Sequence, residues 1–303
     1  MKDNVEQVQK SIGSSFDQNL ARIAVGGYDD AQDVRKAMMN RVRDVIRKKN
    51  EGISFDEVED EKEDKNFDSK YSDDELSGLI DEMKDEGKLT GREYEYLEKM
   101  LEAGSTAEQL ENEFHDVMDI TSAEPVYRNW LSNVYGVSST LTARFLHRFG
   151  YCEDFERVSD LWSYCGLTPS SSRDKGEQLS YDPQAKKLAW LVADCMMKGG
   201  DNSAYRREFF DPYKEKQLDR MDKAEDMTEA QLEEKTWTPP KSQGHAHNRS
   251  MRYLAKKFLK HYWAISRDIK GLDVPDEYII AHGGHEKRED TWENPFYAKK
   301  QLQ

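Results

Sequence analysis

Residues 130–150 read WLSNVYGVSSTLTARFLHRFG, and their types and spacing suit the capture of a phosphate. Gly136 follows an apolar helix end, Ser138 can cap the next helix, and Gly150 can end it. A glycine turn that feeds a helix start leaves backbone N–H groups unpaired at the positive end of a helix dipole, and both features favour an anion. Gly136, Val137, Ser138, Ser139 and Thr140 are therefore candidate backbone-gripping residues, with Arg144 and Arg148 adding charge on the same helix. The bland alternative is a glycine turn that merely joins two packed helices.

A second candidate lies in residues 241–270, where eight basic residues stand against Asp268 alone. Arg249, Arg252, Lys256, Lys257 and Lys260 form a cationic surface suited to phosphates, whose affinity falls steeply with salt. Met251, Leu254, Phe258 and Ile265 supply its buried side, with Tyr262 at the edge. Neutralising an acidic region of the same molecule would serve as well. Tyr205, Phe209 and Phe210, among Arg206 and Arg207, have the helical spacing of core aromatics more than that of a base-stacking platform. The pairs His245/His247 and His282/His285 have no cysteine partners and no fixed spacing, so no metal is assigned to them.

The elements that must hold these groups are helical. Val5, Val8, Ile12, Phe16, Leu20 and Ile23 recur at three and four residues, and Gly26-Gly27 predicts the end of that helix. A second helix over residues 30–50 is basic, with seven Lys or Arg between positions 34 and 50 against Asp44. Residues 51–125 reverse the sign, with 26 acidic and 7 basic residues. Three capping boxes are legible there, Ser72/Glu75, Thr90/Glu93 and Ser105/Glu108, with Gly87 and Gly104 where helix ends belong. Pro125 suits the first turn of a helix ending near Val134. Residues 181–198 form an amphipathic helix with Leu188, Leu191, Val192 and Cys195 on its apolar face, ended by Gly199-Gly200. No stretch alternates long enough to make a strand, so the expected class is all-α. The expected organisation is N-terminal helices over 1–50 with a basic second helix, an acidic linker over 51–72, and an acidic helical region over 73–125. A helix-hairpin-helix domain over 126–270 and a polar tail over 271–303 complete it.

Beyond the hairpin, CEDFERVSDLWSYCGLTPSSS continues with Phe155, a short helix through Leu161 and Trp162, and the turn Tyr164-Cys165-Gly166-Leu167-Thr168-Pro169. This order resembles the C-terminal helix-hairpin-helix domain of the insertion-sequence 110/116/902 transposase family, specifically over about 40 residues and more loosely to about Ile269. The resemblance implies a domain that grips the DNA backbone with little base specificity, in a mobile element, a virus or a domesticated derivative. It also implies a serine nucleophile in the loop after the turn, which makes Ser171 and Ser172 low-ranking catalytic candidates. The family loop continues with glycines, whereas this one continues Arg173-Asp174-Lys175 before Gly176. The N-terminal nuclease domain of RNase-H type is not found, because residues 1–125 show no strands to carry its separated acids.

The whole chain has 303 residues and a formal charge of −15, which argues against charge-driven nucleic-acid binding over the entire surface and makes any binding face local. Cys152, Cys165 and Cys195 form no CxxC pair and read as buried thiols in a reducing compartment. With no apolar run of bilayer length, the expected location is the cytoplasm. The sequence thus predicts a protein that binds double-stranded DNA without a cofactor, and it leaves catalysis undecided, leaning against it because the acidic nuclease domain is not found. Its alternatives are a recombinase component that needs Mg2+ or a separate recombinase subunit, and a protein-interaction or assembly factor. RNA in place of DNA, and a homo-oligomer, are left open.

Overall fold

Ser72 and Thr90 begin helices in the way their spacing to Glu75 and Glu93 predicts. The Ser72 N–H donates to the Glu75 carboxylate at 2.7 Å and the Thr90 N–H to Glu93 at 2.8 Å. In the computed structural model, which describes residues 18–52, 71–168 and 178–275, the protein is all-α, with no strand among these residues. The residues fall into two compact units, one spanning Arg22–Met118 and the other holding Asp119 and the residues beyond it.

The first unit is built on α1 (Gln18–Glu51), α2 (Leu76–Asp85) and α3 (Gly91–Met118). α1 and α3 run antiparallel: Lys49 near the end of α1 pairs with Glu93 at 2.7 Å, and Gln32 donates to Glu111 at 2.9 Å. Met39, Val42, Ile46, Leu76, Ile80, Met83, Leu89 and Leu97 form the core where α2 joins them. A polar network fastens the α2 entry to this pair. Arg35 bridges Glu111 and Asp73, each at 2.8 Å, while Arg43 binds Asp73 and donates to the Tyr71 carbonyl.

Two expected helix ends are not ends. α1 runs straight through Gly26-Gly27 and α3 through Gly104, and Ser105/Glu108 opens no helix. The physical reason is close approach. A Cβ on Gly27 would fall 2.3 Å from the Phe114 ring, and one on Gly104 would fall 2.4 Å from Met39 Cε. These glycines let large side chains from the opposite helix press onto the backbone, and the tertiary contact overrides their unfavourable helix propensity.

The second unit comprises α4 (Pro125–Asn129), α5 (Ser139–Phe149), α6 (Val158–Tyr164), α7 (Pro183–Lys198), α8 (Asp211–Glu225), α9 (Glu229–Glu233) and α10 (Gln243–Ile269), with single turns of 3-10 helix between several of them. A short π-helical stretch, Arg206–Phe210, leads into α8. The centre is α10, whose residues 258–267 are all buried. A helix buried all round needs neighbours on every side, and α5, α6, α7, α8 and the π stretch supply them. Phe258 stacks on Trp130 at 5.5 Å between ring centroids, while Phe145 meets both Phe258 and Tyr262 at 5.2 Å. Such aromatic pairs add about 0.5–1.5 kcal/mol each beyond the area they bury. Tyr262 lies fully in this core, not at its edge. On α7 the apolar face is Ala185, Leu188, Ala189, Val192, Ala193 and Met196. Leu191 is exposed and Cys195 only partly covered, so the expected face is rotated.

Buried polar groups of α10 tie down the loop after α5. The Tyr262 hydroxyl donates to the Gly150 carbonyl at 2.7 Å, the Trp263 indole to Phe155 at 2.7 Å, and Arg267 to the Cys152 and Phe155 carbonyls at 3.0 Å each. The turn after α6 closes with Gly166 at φ +62 and a bond from the Leu167 N–H to the Trp162 carbonyl at 2.9 Å. That arrangement satisfies the last carbonyls of the helix and demands glycine.

Candidate nucleic-acid interface

Gly136 sits at φ +83, a conformation a side chain would strain, and a Cβ there would also lie 3.0 Å from the Cys195 backbone. It brings the turn against α7 and delivers Ser138 as the cap of α5, where the Ser138 hydroxyl accepts from the Leu141 N–H at 3.2 Å. Leu141, Phe145, Leu146 and Phe149 face the core. Thr140, Arg144, His147 and Arg148 share the other side of α5 at the spacing of one stripe, so the helix start and its cations face outward together.

Not every residue of the turn is presented to a ligand. Val137 is buried and closes the turn through its N–H to the Val134 carbonyl. The Ser139 hydroxyl is bonded to the Asp119 carboxylate, and the Thr121 hydroxyl donates to the Ser139 carbonyl at 2.9 Å. Asp119 thus places an acid at the helix start, where it answers the dipole that an incoming anion would use.

Arg148 pairs with Asp182 at 3.2 Å, and the Tyr164 hydroxyl donates to the same carboxylate at 2.9 Å. Asp182 also caps α7 by accepting from the Ala185 N–H at 2.8 Å. Burial by itself would raise the Asp182 carboxyl, but the Ala185 and Tyr164 bonds and the Arg148 charge together hold it below its ordinary range. Tyr164 is shifted up, by burial first and by Asp182 second. Sequence reasoning missed Asp182 in this role, although Asp182-Pro183 is a legible helix start. Its meeting with Arg148, 34 residues away in the chain, carries no local signal.

The basic set on α10 is placed differently from its expected role. Arg249 donates to the Thr238 carbonyl at 2.6 Å and to Gln217 at 3.2 Å, and Lys260 is 8% exposed. Lys256 lies over the Trp162 ring at 4.1 Å, and Lys257 lies over Phe209 at 5.5 Å and Tyr253 at 5.6 Å. Arg252 is exposed. Counting 100° per residue, Arg249, Lys256 and Lys260 lie roughly half a turn around α10 from Phe258, the residue on which α5 rests through Phe145. The turn over 137–140 and the stripe over 249–260 therefore do not form one surface. Lys260 and Arg249 are tied into the protein itself.

An N–H lies beside each ring nitrogen of His245, that of Lys241 3.1 Å from Nδ1 and that of Arg249 3.2 Å from Nε2, and a neutral imidazole accepts from one of the two, while the His247 ring packs on Phe210 at 5.4 Å. Ser171, Ser172, His282 and His285 lie outside the described residues. Cys152 and Cys165 are buried, and burial first of all pushes both thiols up. No described helix is long and apolar enough to cross a membrane. No family model, no curated protein and no solved structure matches this chain.

Proposed function

We propose that the unit from Asp119 onward binds the backbone of double-stranded DNA through the turn over 136–140 and the outward stripe of α5, with Arg144 and Arg148 as its cations. The reading keeps the transposase-like resemblance and its link to a mobile element or virus. The observation that carries it is that the exposed cap Ser138, the half-buried Thr140 and the cationic stripe lie on one side of one helix. Two or three phosphate contacts would give a slope of about −2 to −3 in log affinity against log salt. The cations of α10 belong to the core under this reading, with Arg252 alone standing out.

A mobility shift at several salt concentrations tests it. Arg144→Glu should weaken binding at least tenfold and flatten the salt slope, and unchanged binding would remove α5 from the interface. Asp119→Asn should act in the opposite direction. It removes a negative charge from the helix start while keeping a hydrogen-bonding group, and affinity should rise several-fold.

One observation favours a second reading, that of a protein-interaction or assembly factor. In the first unit a groove of about 570 Å3 lies between α1 and α3, lined by Ala31, Val34, Ala107, Leu110 and Phe114, with Val34 45% and Leu110 44% exposed. No measurable DNA affinity at low salt would favour that reading over the first.

A further inference from the structure

The outward stripe of α5 leads into a cavity of about 560 Å3 lined by Arg148 at the end of that stripe and by Lys270 just after α10. Its floor is aromatic. Phe149, Phe155 and Tyr164 meet in pairs with centroids 5.5–6.4 Å apart, and Phe155 and Tyr164, both half-buried, line the cavity. Exposed Glu153 and Asp154 line the rim, and Glu153 already accepts from the Tyr151 N–H at 2.8 Å. Lys270 lies over the Tyr151 ring at 4.4 Å.

Aromatic faces, cations and a carboxylate together fit a flat ligand that also carries a phosphate. Rings stack on any base, a guanidinium matches phosphate oxygens, and a carboxylate accepts from the exocyclic amino group of cytosine, adenine or guanine, which thymine lacks. From Thr140 to Arg148 is eight residues of helix, about 12 Å, which corresponds to the axial rise of three to four base pairs. A backbone gripped at the start of α5 can therefore end with its last nucleotide at this cavity.

We propose that the cavity bounded by Arg148, Phe155, Tyr164 and Lys270 holds a single unpaired nucleotide next to the bound duplex. Its base stacks on the Phe155 ring, with the Tyr164 ring, inclined at 55° to Phe155, meeting its edge, and its amino group donates to Asp154. The inference rests on the duplex-binding reading of α5, and it adds a preference for duplex ends that carry an overhang over blunt ones.

The test compares a short blunt duplex with the same duplex bearing a one-nucleotide overhang of A, C, G or T, by fluorescence anisotropy on the full chain. Overhangs of A, C or G should tighten binding about tenfold and T less, since one stacked base contributes on that scale. Phe155→Leu keeps an apolar side chain under the loop but removes the stacking face. It should abolish the overhang gain while blunt-duplex affinity stays unchanged, which also shows that the variant is folded. Asp154→Ala, at an exposed position, should erase the discrimination against T. Equal affinity for blunt and overhanging duplexes, or a gain that survives Phe155→Leu, overturns the cavity while leaving the duplex reading intact. If neither duplex binds, the duplex reading fails, and titration with dCMP decides the cavity: quenching of tryptophan fluorescence lost in Phe155→Leu supports it, and no quenching overturns it.

Discussion

The two units solve the same packing problem with different materials. The first joins α1 to α3 through mid-sized aliphatic and Met side chains, two glycine contacts, and a charged network of Arg35, Arg43, Asp73 and Glu111. The second packs Trp130, Phe145 and Tyr205 against Phe258 and Tyr262 of one buried helix. Charge-based packing responds to pH and salt, whereas aromatic packing responds mainly to lost volume. Every tryptophan of the chain lies beyond Asp119, so its fluorescence reports the second unit alone, and hydrogen exchange follows both.

The largest effect should come from Phe258→Ala, which empties the site where Trp130, Phe145 and Tyr205 meet. Such a truncation costs about 3–5 kcal/mol. Tryptophan fluorescence should show the second unit unfolding at much lower urea, while exchange protection in α1 and α3 stays as it was. Equal loss in both would show that they unfold as one cooperative block.

Acid should have the opposite target. Burial alone would raise the Glu111 carboxyl, but bonds from Arg35 and Gln32 hold it below its ordinary range. A carboxyl depressed in the folded state gives stability that is present above the unfolded value, near pH 4.3, and lost as pH falls through the folded one. Exchange protection of the first unit should therefore drop below about pH 4.3 before tryptophan fluorescence changes. Glu111→Gln should reduce that dependence, leaving the share of Glu93, and cost about 1–3 kcal/mol at neutral pH.

Adjacent glycines give a test of opposite sign. Gly27→Ala places a methyl against Phe114 and should destabilise the first unit by about 1–2 kcal/mol despite better helix propensity. Gly26→Ala meets nothing within 4 Å and should stabilise it by about 0.5–1 kcal/mol. Thermal melts of the two variants on either side of the wild type would confirm that position 27, not helix propensity, explains the glycine pair.

The smallest effect concerns the cap of α3. Lys49 and the Thr90 groups pull the Glu93 carboxyl down to about 2. The pair is partly exposed, so Glu93→Gln should cost only about 0.5 kcal/mol above pH 4.3, fading with added salt and as pH falls toward 2. A cost unaffected by salt would mean that the backbone cap, not the ion pair with Lys49, carries it.

Much of the local structure was legible. Ser72, Thr90 and Ser138 start helices, Gly87, Gly150 and Gly166 follow helix ends, and Tyr205, Phe209 and Phe210 pack in the core. Each signal acts within a few residues of itself, so the chain displays it directly. The candidate interface was legible as far as Gly136, Ser138 and the cations of α5. Its acid at Asp119 and its brace at Asp182 were not, because both come from other elements.

The sequence by itself therefore determined the all-α class, most helix starts, and a glycine turn that feeds a capped helix with arginines on its outer side. Only the tertiary structure decided that Gly27 and Gly104 are contact points, since a glycine shows no difference in sequence between ending a helix and receiving a Phe ring. It also decided that the basic helix is the core of its unit. The Lys256 carbonyl is bonded to the Trp162 indole 94 residues earlier, and Arg267 holds Cys152 across 115. Whether a cation meets solvent or a neighbouring ring depends on which distant helix packs beside it, and periodicity within one helix carries no information about that neighbour.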